Sequence, residues 1–181
     1  MKLQQCMGVE YLRECFDADF KAGVLVWRSR PQKHFRDART CASWNARYAG
    51  AVAGGPHKEG YVAVTVSLEG MRTVLLAHRI LWCMKTGEWP KETIDHRDMD
   101  RTNNKFCNLR EATYGEQNAN RPAIRAGLKG ASLDKRTGRY VAQITSDGTY
   151  RFLGRFDSEA EAHRAYVEAA ERLHGDFARA S

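Results

Sequence analysis

Residues 127–175 carry the pattern that most restricts the fold of this chain. Three short stretches, GLKGASLD, GRYVAQI and TYRFLGRF, are separated by the turn sequences KRTG and TSDG, which predicts consecutive antiparallel strands. After the capping pair Asp157-Ser158, small and apolar residues recur with helical spacing up to Gly175, namely Ala162, Ala165, Tyr166, Ala169, Ala170 and Leu173. We therefore predict a three-stranded antiparallel sheet packed against one alanine-rich helix.

The rest of the chain predicts a mixture of short helices and strands. In chain order we expect a short helix at 9–16, a strand at 23–30, irregular chain at 31–58, a hairpin at 60–77 that turns at Glu69-Gly70, and a helix at 78–90 ended by Gly87 and Pro90. Residues 120–127 contain a Pro and a Gly and are expected to form a linker. The fold class is therefore predicted to be α+β.

Composition excludes several classes of protein. The chain has 181 residues, 43% of them hydrophobic, which is the size of one or two ordinary domains and is above the disordered range. No apolar run reaches 18 residues and the N-terminus resembles no export signal, so we expect no membrane span and a cytoplasmic location. The five cysteines are scattered without a C-x-x-C pair, which argues against a disulfide framework or a zinc ribbon.

The positive charge is concentrated in one segment. The net charge is +7, which by itself only suggests a polyanionic partner. Residues 121–156 hold eight Lys or Arg against two Asp, whereas residues 157–181 hold six acids against three Arg. The predicted strands are thus basic and the predicted helix is acidic, although a basic face that merely contacts solvent remains the alternative.

Residues 94–120, IDHRDMDRTNNKFCNLREATYGEQNAN, combine a carboxylate, an imidazole and many side-chain amides. Hydrolysis of a phosphodiester needs a base that activates water and a divalent metal that offsets negative charge. His96 can be the base, because the ordinary pKa of histidine suits proton transfer near neutrality. Asp95 and a downstream Asn or Gln can supply oxygen ligands to magnesium. The alternative is a turn at Asp95-His96 with asparagines as caps.

The order of these residues resembles the HNH endonuclease family. Asp-His, a loop, Asn-Leu-Arg, a Thr and amides that open a helix correspond to its ββα-metal motif, here about 93–121. The resemblance implies that His96 is the general base, that Asp95 is a metal ligand and that Asn108 braces the loop and helps to orient the base. Asn103 and Asn104 are then expected to be turn residues with no catalytic part. His78 is expected to be structural or to contact phosphate.

The last metal ligand departs from the family pattern. Counting from Thr113, its position falls on Gln117, with Asn118 one residue late. Because Asn120 stays in register with the family, an insertion is not favoured, and we prefer Gln117 as the ligand and keep Asn118 as its rival. The segments GVLVW, WNARYAG, GYVAV and AHRILWCMKTGEWP resemble the leader of phage-type HNH proteins. The predicted nuclease domain is therefore 9–121.

Residues 126–179 resemble the Apetala-2/ethylene-response-factor (ERF) DNA-binding domain, and the predicted domain is 126–181. The resemblance rests on Gly130, GRYVAQI, FLGRF, SEAEAHRAY and HGDFA, and it implies a sheet that lies in the major groove. The residues that it implies for DNA contact are Lys129, Arg136, Gln143 and Tyr150, with Arg139 and Arg155 close to phosphates. Ser132, Asp134 and Thr145 stand where the family has base-reading arginines, so base preference cannot be carried over.

Together these patterns predict a metal-dependent DNA endonuclease of the HNH homing type. We expect Mg²⁺ or Mn²⁺ as cofactor, double-stranded DNA as partner, and a phage-encoded protein acting in the cytoplasm of a bacterial host. Nicking by one copy and double-strand cleavage by a homodimer both remain open. The alternatives are a non-catalytic DNA-binding protein with a decayed nuclease fold and an RNA-directed protein, which the sheet suits less well.

Overall fold

The structure of the protein is a computed structural model, and it describes residues 7–68, 71–119, 127–146 and 148–178, without the side chains of residues 68, 118, 119 and 176. The chain divides into two compact units, Met1–Glu111 and Ala112–Ser181. Helices and small sheets alternate along the chain, which confirms the predicted α+β class. The predicted turn at 69–70 and the predicted linker up to residue 126 lie outside the described residues. The predicted domain limits stay a prediction.

Short elements build the first unit. Its helices are α1 (Val9–Cys15), α2 (Ala38–Tyr48) and α3 (Ala77–Thr86), and its strands are β1 (Phe16–Asp19), β2 (Val24–Trp27), β3 (Gly55–Pro56), β4 (Val62–Leu68), β5 (Met71–Leu76), β6 (Thr93–His96) and β7 (Leu109–Ala112). Strand β1 pairs with β2, β4 lies between β3 and β5, and β6 pairs with β7. The predicted hairpin and the helix that ends at Gly87 are both confirmed.

The core of the first unit lies between the hairpins and α3. Val64 and Val66 of β4 alternate with exposed or half-buried neighbours, and Ile80 and Leu81 of α3 are fully buried. This arrangement follows from the two periodicities, since one face of a strand and one stripe of a helix turn towards the same core. Among the described residues, none of the helices combines the length and the apolar character needed to cross a bilayer.

The prediction of irregular chain at 31–58 is wrong, because α2 occupies the middle of that segment. The Asp37 carboxylate accepts a hydrogen bond from the Thr40 backbone N–H at 2.7 Å and caps the helix. Trp44 and Tyr48, one turn apart, pack against the core. The helix is therefore stabilised by its cap and by tertiary packing, which the Ser, Asn and Arg residues around the aromatic pair conceal in the sequence.

The second unit contains the predicted sheet and helix. It comprises α4 (Tyr114–Ala119), β8 (Ala131–Asp134), β9 (Arg139–Ser146), β10 (Thr149–Phe156) and α5 (Glu159–His174), and the antiparallel sheet has the order β10-β9-β8. Ser158 and Glu161 form a capping box at the start of α5. Ile144 packs with Tyr166, Ala169 and Ala170. Gly130 adopts φ +77°, and a Cβ there would overlap the Tyr166 ring. The absence of a side chain at Gly130 therefore permits Tyr166 of α5 to pack closely against the backbone that precedes β8.

Candidate functional site

Strand β6 ends on Asp95 and His96, and both side chains are buried. Strand β7 pairs with it, and the Arg97 backbone N–H donates to the Asn108 carbonyl at 2.9 Å just beyond the end of β6. The intervening residues 97–108 form a loop closed by this bond. The pairing and this bond therefore hold the end of β6 beside Asn108, at the far end of the loop.

The imidazole of His96 is fixed by Asn104. Its Nε2 lies 3.0 Å from the Asn104 side-chain oxygen, and both residues are 3% exposed. Because an amide oxygen only accepts, this contact places a ring proton on Nε2, and in the neutral ring the lone pair is then on Nδ1. Within the described residues Nδ1 of His96 has no hydrogen-bond partner. It is also not fully buried, unlike Nδ1 of His78. The nitrogen that can take up a proton is thus accessible to solvent.

The turn between β1 and β2 supports the Asn104 segment from behind. Gly23 adopts φ +75°, and a Cβ there would lie 2.4 Å from the Asn104 carbonyl carbon and from the Lys105 nitrogen. The Phe106 backbone N–H donates to the Phe20 carbonyl at 2.9 Å. A residue remote in sequence therefore sets the position of the amide that holds His96.

Two further rings surround His96. The His78 ring meets it edge to face at a centroid distance of 5.0 Å, and the Tyr61 ring lies 5.3 Å from His78 and 6.1 Å from His96. Burial, with the neighbouring His96 and Arg79, lowers the pKa of His78 to about 3, so this ring stays neutral near physiological pH. Its Nδ1 is buried without a partner among the described residues.

Asn108 braces the loop through an exposed aspartate. Its amide nitrogen donates to the Asp98 carboxylate and to the Asn103 carbonyl, each at 2.8 Å, and its oxygen accepts from the Asp98 backbone N–H at 3.1 Å. Burial opposes ionisation of Asp98, but the hydrogen bonds from Asn103 and Asn108 outweigh it and hold the pKa of this carboxyl below its usual range. The bracing predicted for Asn108 thus acts on Asp98, whereas the contact with the His96 ring comes from Asn104.

The Asp95 carboxylate is engaged by an arginine of the neighbouring strand. Arg110 donates to Oδ2 of Asp95 from Nε at 2.9 Å and from Nη2 at 2.8 Å, and each side chain is at most 10% exposed. Such a forked, charge-assisted pair is strong and directional. A metal ion bound to Asp95 would share the carboxylate with this guanidinium.

Helix α4 begins as the sequence predicts. The Thr113 hydroxyl accepts from the Glu116 backbone N–H at 3.2 Å, and Glu116 Oε2 accepts from the Thr113 backbone N–H at 2.7 Å, which is a reciprocal cap. Gln117 follows in the first turn, half-buried, with its backbone N–H bonded to the Thr113 carbonyl. The side chain of Asn118 lies outside the described residues. The choice between Gln117 and Asn118 therefore stays a prediction.

The chemistry of the available donors restricts the kind of metal. Among the residues that the structure describes, no group of three or more His, Cys, Asp or Glu side chains could hold an ion. A single carboxylate with one amide oxygen is too sparse a set for structural zinc, but it suits a hard ion that keeps several water ligands.

The outer face of the C-terminal sheet presents aromatic and amide groups. Gln143 and Tyr150 are both exposed, and the tyrosine hydroxyl donates to the glutamine oxygen at 2.9 Å. The Arg155 guanidinium lies 5.3 Å from the centre of the exposed Phe152 ring, and the pairing of β9 with β10 places Phe152 opposite Gln143. These residues form one continuous surface.

The other three residues predicted to contact DNA, Arg139, Arg136 and Lys129, have partners within the second unit. Arg139 forms an ion pair with Asp157 at 2.9 Å and also donates to the Arg155 carbonyl at 3.3 Å. Arg136 lies in the turn after β8, where its backbone N–H bonds Asp134. The Lys129 ammonium lies 5.8 Å from the centre of the Tyr166 ring, whose residue belongs to the core beneath the sheet.

Sequence reasoning missed two residues of the site. Nothing in the spacing of residues 94–120 distinguishes Asn104 from the other asparagines, because its importance comes from burial against His96. Arg110 was visible within the Asn-Leu-Arg motif. Opposite charges on two paired strands predict an ion pair. The predicted pairing of the two strands was therefore enough to suggest the contact between Arg110 and Asp95.

Comparison with known proteins gives a family match and a similar solved structure. Residues 75–119 match the family model described as HNH endonuclease, and this segment contains Asp95, His96, Asn108 and Gln117. A structure of the HNH homing endonuclease I-HmuI, from work on its DNA binding and cleavage, is similar at 16% sequence identity and a TM-score of 0.42, over 88% of this chain and 85% of that chain. No curated protein matches.

Proposed function

We propose that this chain is a metal-dependent DNA endonuclease that hydrolyses phosphodiester bonds with His96 as its general base. The observation that carries the proposal is the buried His96, whose Nε2–H is held by Asn104 at 3.0 Å while Nδ1 keeps a lone pair. The match of residues 75–119 to the HNH endonuclease family supports it independently.

The base acts through one defined atom. A water molecule gives its proton to Nδ1 of His96 as its oxygen attacks the phosphorus, and the 3′-oxygen leaves on the opposite side. Asn104 keeps the ring in the tautomer that accepts at Nδ1, because its oxygen engages the proton on Nε2. The neutral His78 ring packs against His96 and limits its rotation.

Asp95 and an amide of α4 are the proposed ligands of a divalent cation, magnesium or manganese. Gln117 is preferred, with Asn118 as the alternative. When bound, the cation offsets negative charge on the scissile phosphate and the leaving oxygen. Asn108 supports this chemistry indirectly, because it ties Asp98 and the Asn103 carbonyl into the loop that follows His96.

The C-terminal unit is the proposed DNA-targeting module. The surface of Gln143, Tyr150, Phe152 and Arg155 combines groups that hydrogen-bond, stack and carry positive charge. The resemblance to the Apetala-2/ERF domain suggests that the sheet enters the major groove, with Arg136, Arg139 and Lys129 at its margins. A tethered module raises the local concentration of the intended site for a nuclease that selects sequence poorly.

Cleavage of supercoiled plasmid tests the proposal. The full chain with Mg²⁺ or Mn²⁺ is expected to nick or linearise the plasmid, and EDTA or His96→Ala is expected to stop cleavage while DNA binding remains. A matched control is His57→Ala, which removes a histidine outside the site. If the wild-type chain leaves the plasmid intact with both metals, the nuclease proposal fails.

A second candidate function is a DNA-binding protein without catalytic activity. It is favoured by the Arg110 guanidinium, which bonds Oδ2 of Asp95 twice and already supplies a positive charge where a metal ion would. The decisive measurement is Mn²⁺ binding by electron paramagnetic resonance. A nuclease binds the ion, loses it on Asp95→Asn and keeps it on the control Asp98→Asn. A decayed fold binds DNA but no ion in any variant.

A further inference from the structure

A buried arginine in the first unit holds a positive charge among aromatic rings. Arg30 is 5% exposed, and its guanidinium lies 5.1 Å from the ring centres of Phe35 and Trp44 and 5.9 Å from those of Tyr11 and Trp27. Ring faces attract a cation and offset part of the free energy lost when the guanidinium leaves water. They do not neutralise its charge.

No carboxylate neutralises Arg30 within the described residues. Its Nη2 donates to the Tyr11 hydroxyl at 2.8 Å, and its Nε donates to Nδ1 of His34 at 3.2 Å. The Glu14 carboxylate does not contact Arg30 directly. It lies 2.7 Å from Nε2 of His34, the other nitrogen of the same ring. Burial and Arg30 lower the pKa of His34, so the ring separates the two charges as a neutral spacer. Glu14 also bonds Lys33 at 2.6 Å, which leaves the cluster with an excess of positive charge.

One nitrogen of Arg30 is left for a ligand. Among the described residues Nη1 donates no hydrogen bond. It is not fully buried either, so solvent reaches it. Arg30 lines a cavity of about 390 Å³ together with Trp27, Trp44, Tyr48, Ser67 and a second arginine, Arg72. Arg72 is exposed and stands opposite Ser67 in the β4–β5 pair. The cavity is therefore lined by one buried arginine, Arg30, and one exposed arginine, Arg72.

We propose that this cavity is a binding site for the phosphate group of a nucleotide unit, held by Arg30 and Arg72. Nη1 of Arg30 can donate one charge-assisted hydrogen bond to a phosphate oxygen, and the exposed guanidinium of Arg72 can add a forked contact. The phosphate supplies the missing negative charge. The site lies apart from the proposed catalytic residues in the chain and does not depend on the proposed function.

The size and walls of the cavity favour a nucleotide over a bare oxyanion. Its volume lies within the range of about 300–1,000 Å³ that small-molecule sites occupy. Trp27, Trp44 and Tyr48 contribute aromatic surface, and such surface suits a base or sugar attached to the phosphate. The nucleotide unit can come from a nucleic acid strand or from a free mononucleotide, and the phosphate chemistry is the same for both.

Tryptophan indole N–H signals in ¹H–¹⁵N NMR spectra of the full chain test the site. Trp27 and Trp44 line the cavity, whereas Trp82 stacks on Phe106 and Trp89 donates to the Met7 carbonyl, so the chain has two internal reference signals. The probes are inorganic phosphate, thymidine 5′-monophosphate and a short oligo(dT), each in EDTA so that metal-dependent cleavage does not contribute. The expected result is a saturable shift of the Trp27 and Trp44 signals alone.

Variants decide whether the two arginines are responsible. We expect Arg30→Lys to weaken binding about tenfold, since it removes the Nη1 donor that faces the cavity, and Arg72→Gln to weaken it about fivefold. The control Arg39→Gln removes the same charge from an exposed position of α2 and is expected to change affinity less than about twofold. Should the buried Arg30→Lys chain not fold, Arg72→Gln against Arg39→Gln carries the comparison.

The probes also separate the sources of the nucleotide. Tighter binding of the oligonucleotide than of the mononucleotide assigns a nucleic acid strand, and equal binding assigns a free nucleotide. The proposal is overturned by equal shifts of all four indole signals, by equal weakening in Arg72→Gln and Arg39→Gln, or by no shift up to about 10 mM, where even a millimolar site is nearly saturated. Arg30 would then be a structural cation only.

Discussion

The ring of His96 and the side-chain amide of Asn104 meet across the loop between β6 and β7, with Nε2 and Oδ1 3.0 Å apart. Both residues are almost fully buried, so neither group can exchange this partner for water without movement of the loop. The contact fixes the tautomer and the orientation of the ring together. It makes Asn104 the residue through which the rest of the fold acts on the proposed base.

Asn104→Ala is expected to lower the rate of plasmid cleavage about a hundredfold, because an unoriented general base loses much of its contribution. DNA affinity is expected to stay within about twofold, since a buried side chain makes no direct contact with phosphate. The measurement is a single-turnover cleavage rate beside an equilibrium binding titration.

The matched control for this variant is Asn103→Ala. Asn103 donates to the exposed Asp98 carboxylate at 2.5 Å and makes no side-chain contact with His96 among the described residues. Its removal should change the rate only a few-fold. Equal losses in Asn103→Ala and Asn104→Ala would mean that the loop as a whole, and not the bond to His96, controls cleavage.

Gly23→Ala is expected to destabilise the protein by about 3 kcal/mol, because it combines a left-handed backbone with an overlap against the Asn104 segment. The comparison is Gly50→Ala, where φ is +82° but nothing lies within 4 Å of the new Cβ, so only the backbone term of about 1 kcal/mol applies. Urea unfolding measures both. Similar free energies of unfolding for the two variants would show that Gly23 does not support Asn104.

The predictability of the elements depended on whether local pattern and packing agreed. The β9–β10 hairpin and α5 have turn residues, alternation and a capping box that all favour the same structure, and the sequence predicts them correctly. Helix α2 has weak local signals, and the packing of Trp44 and Tyr48 on the core decides its structure. Packing over long sequence distances is not visible in a local window.

The same distinction holds within the candidate site. The motif places Asp95, His96 and Asn108 in sequence, and their positions on β6 and beside β7 agree with the pattern. The partners of these residues do not follow from spacing. Asn104 owes its role to the β1–β2 turn behind it, and the forked bond of Arg110 to Asp95 depends on the pairing of two strands.

His78 gives the protein a predicted pH dependence of stability. Its folded pKa of about 3 lies below the ordinary value of 6.5, so between these values the unfolded chain binds a proton that the folded chain does not. The stability contributed by the neutral ring is complete above pH 6.5 and declines as the pH falls, by about 1.4 kcal/mol per pH unit.

Chemical denaturation at several pH values measures this effect. Between pH 7 and pH 5 the free energy of unfolding of the wild type is expected to fall by about 2 kcal/mol more than that of His78→Phe, which keeps a ring and removes the titrating group. Parallel pH profiles of the two proteins would show that His78 is not kept neutral by burial.

Arg155→Ala tests the outer face of the C-terminal sheet. Its guanidinium lies over the exposed Phe152 ring, next to Gln143 and Tyr150, and loss of one phosphate contact should weaken DNA binding about tenfold and reduce the slope of log affinity against log salt by about one. The control Arg164→Ala removes an exposed arginine of α5, an acidic helix on the other side of the sheet, and should leave the slope unchanged. If both variants weaken binding alike at every salt concentration, the affinity for DNA depends on the net charge of the protein, and the sheet is not the interface.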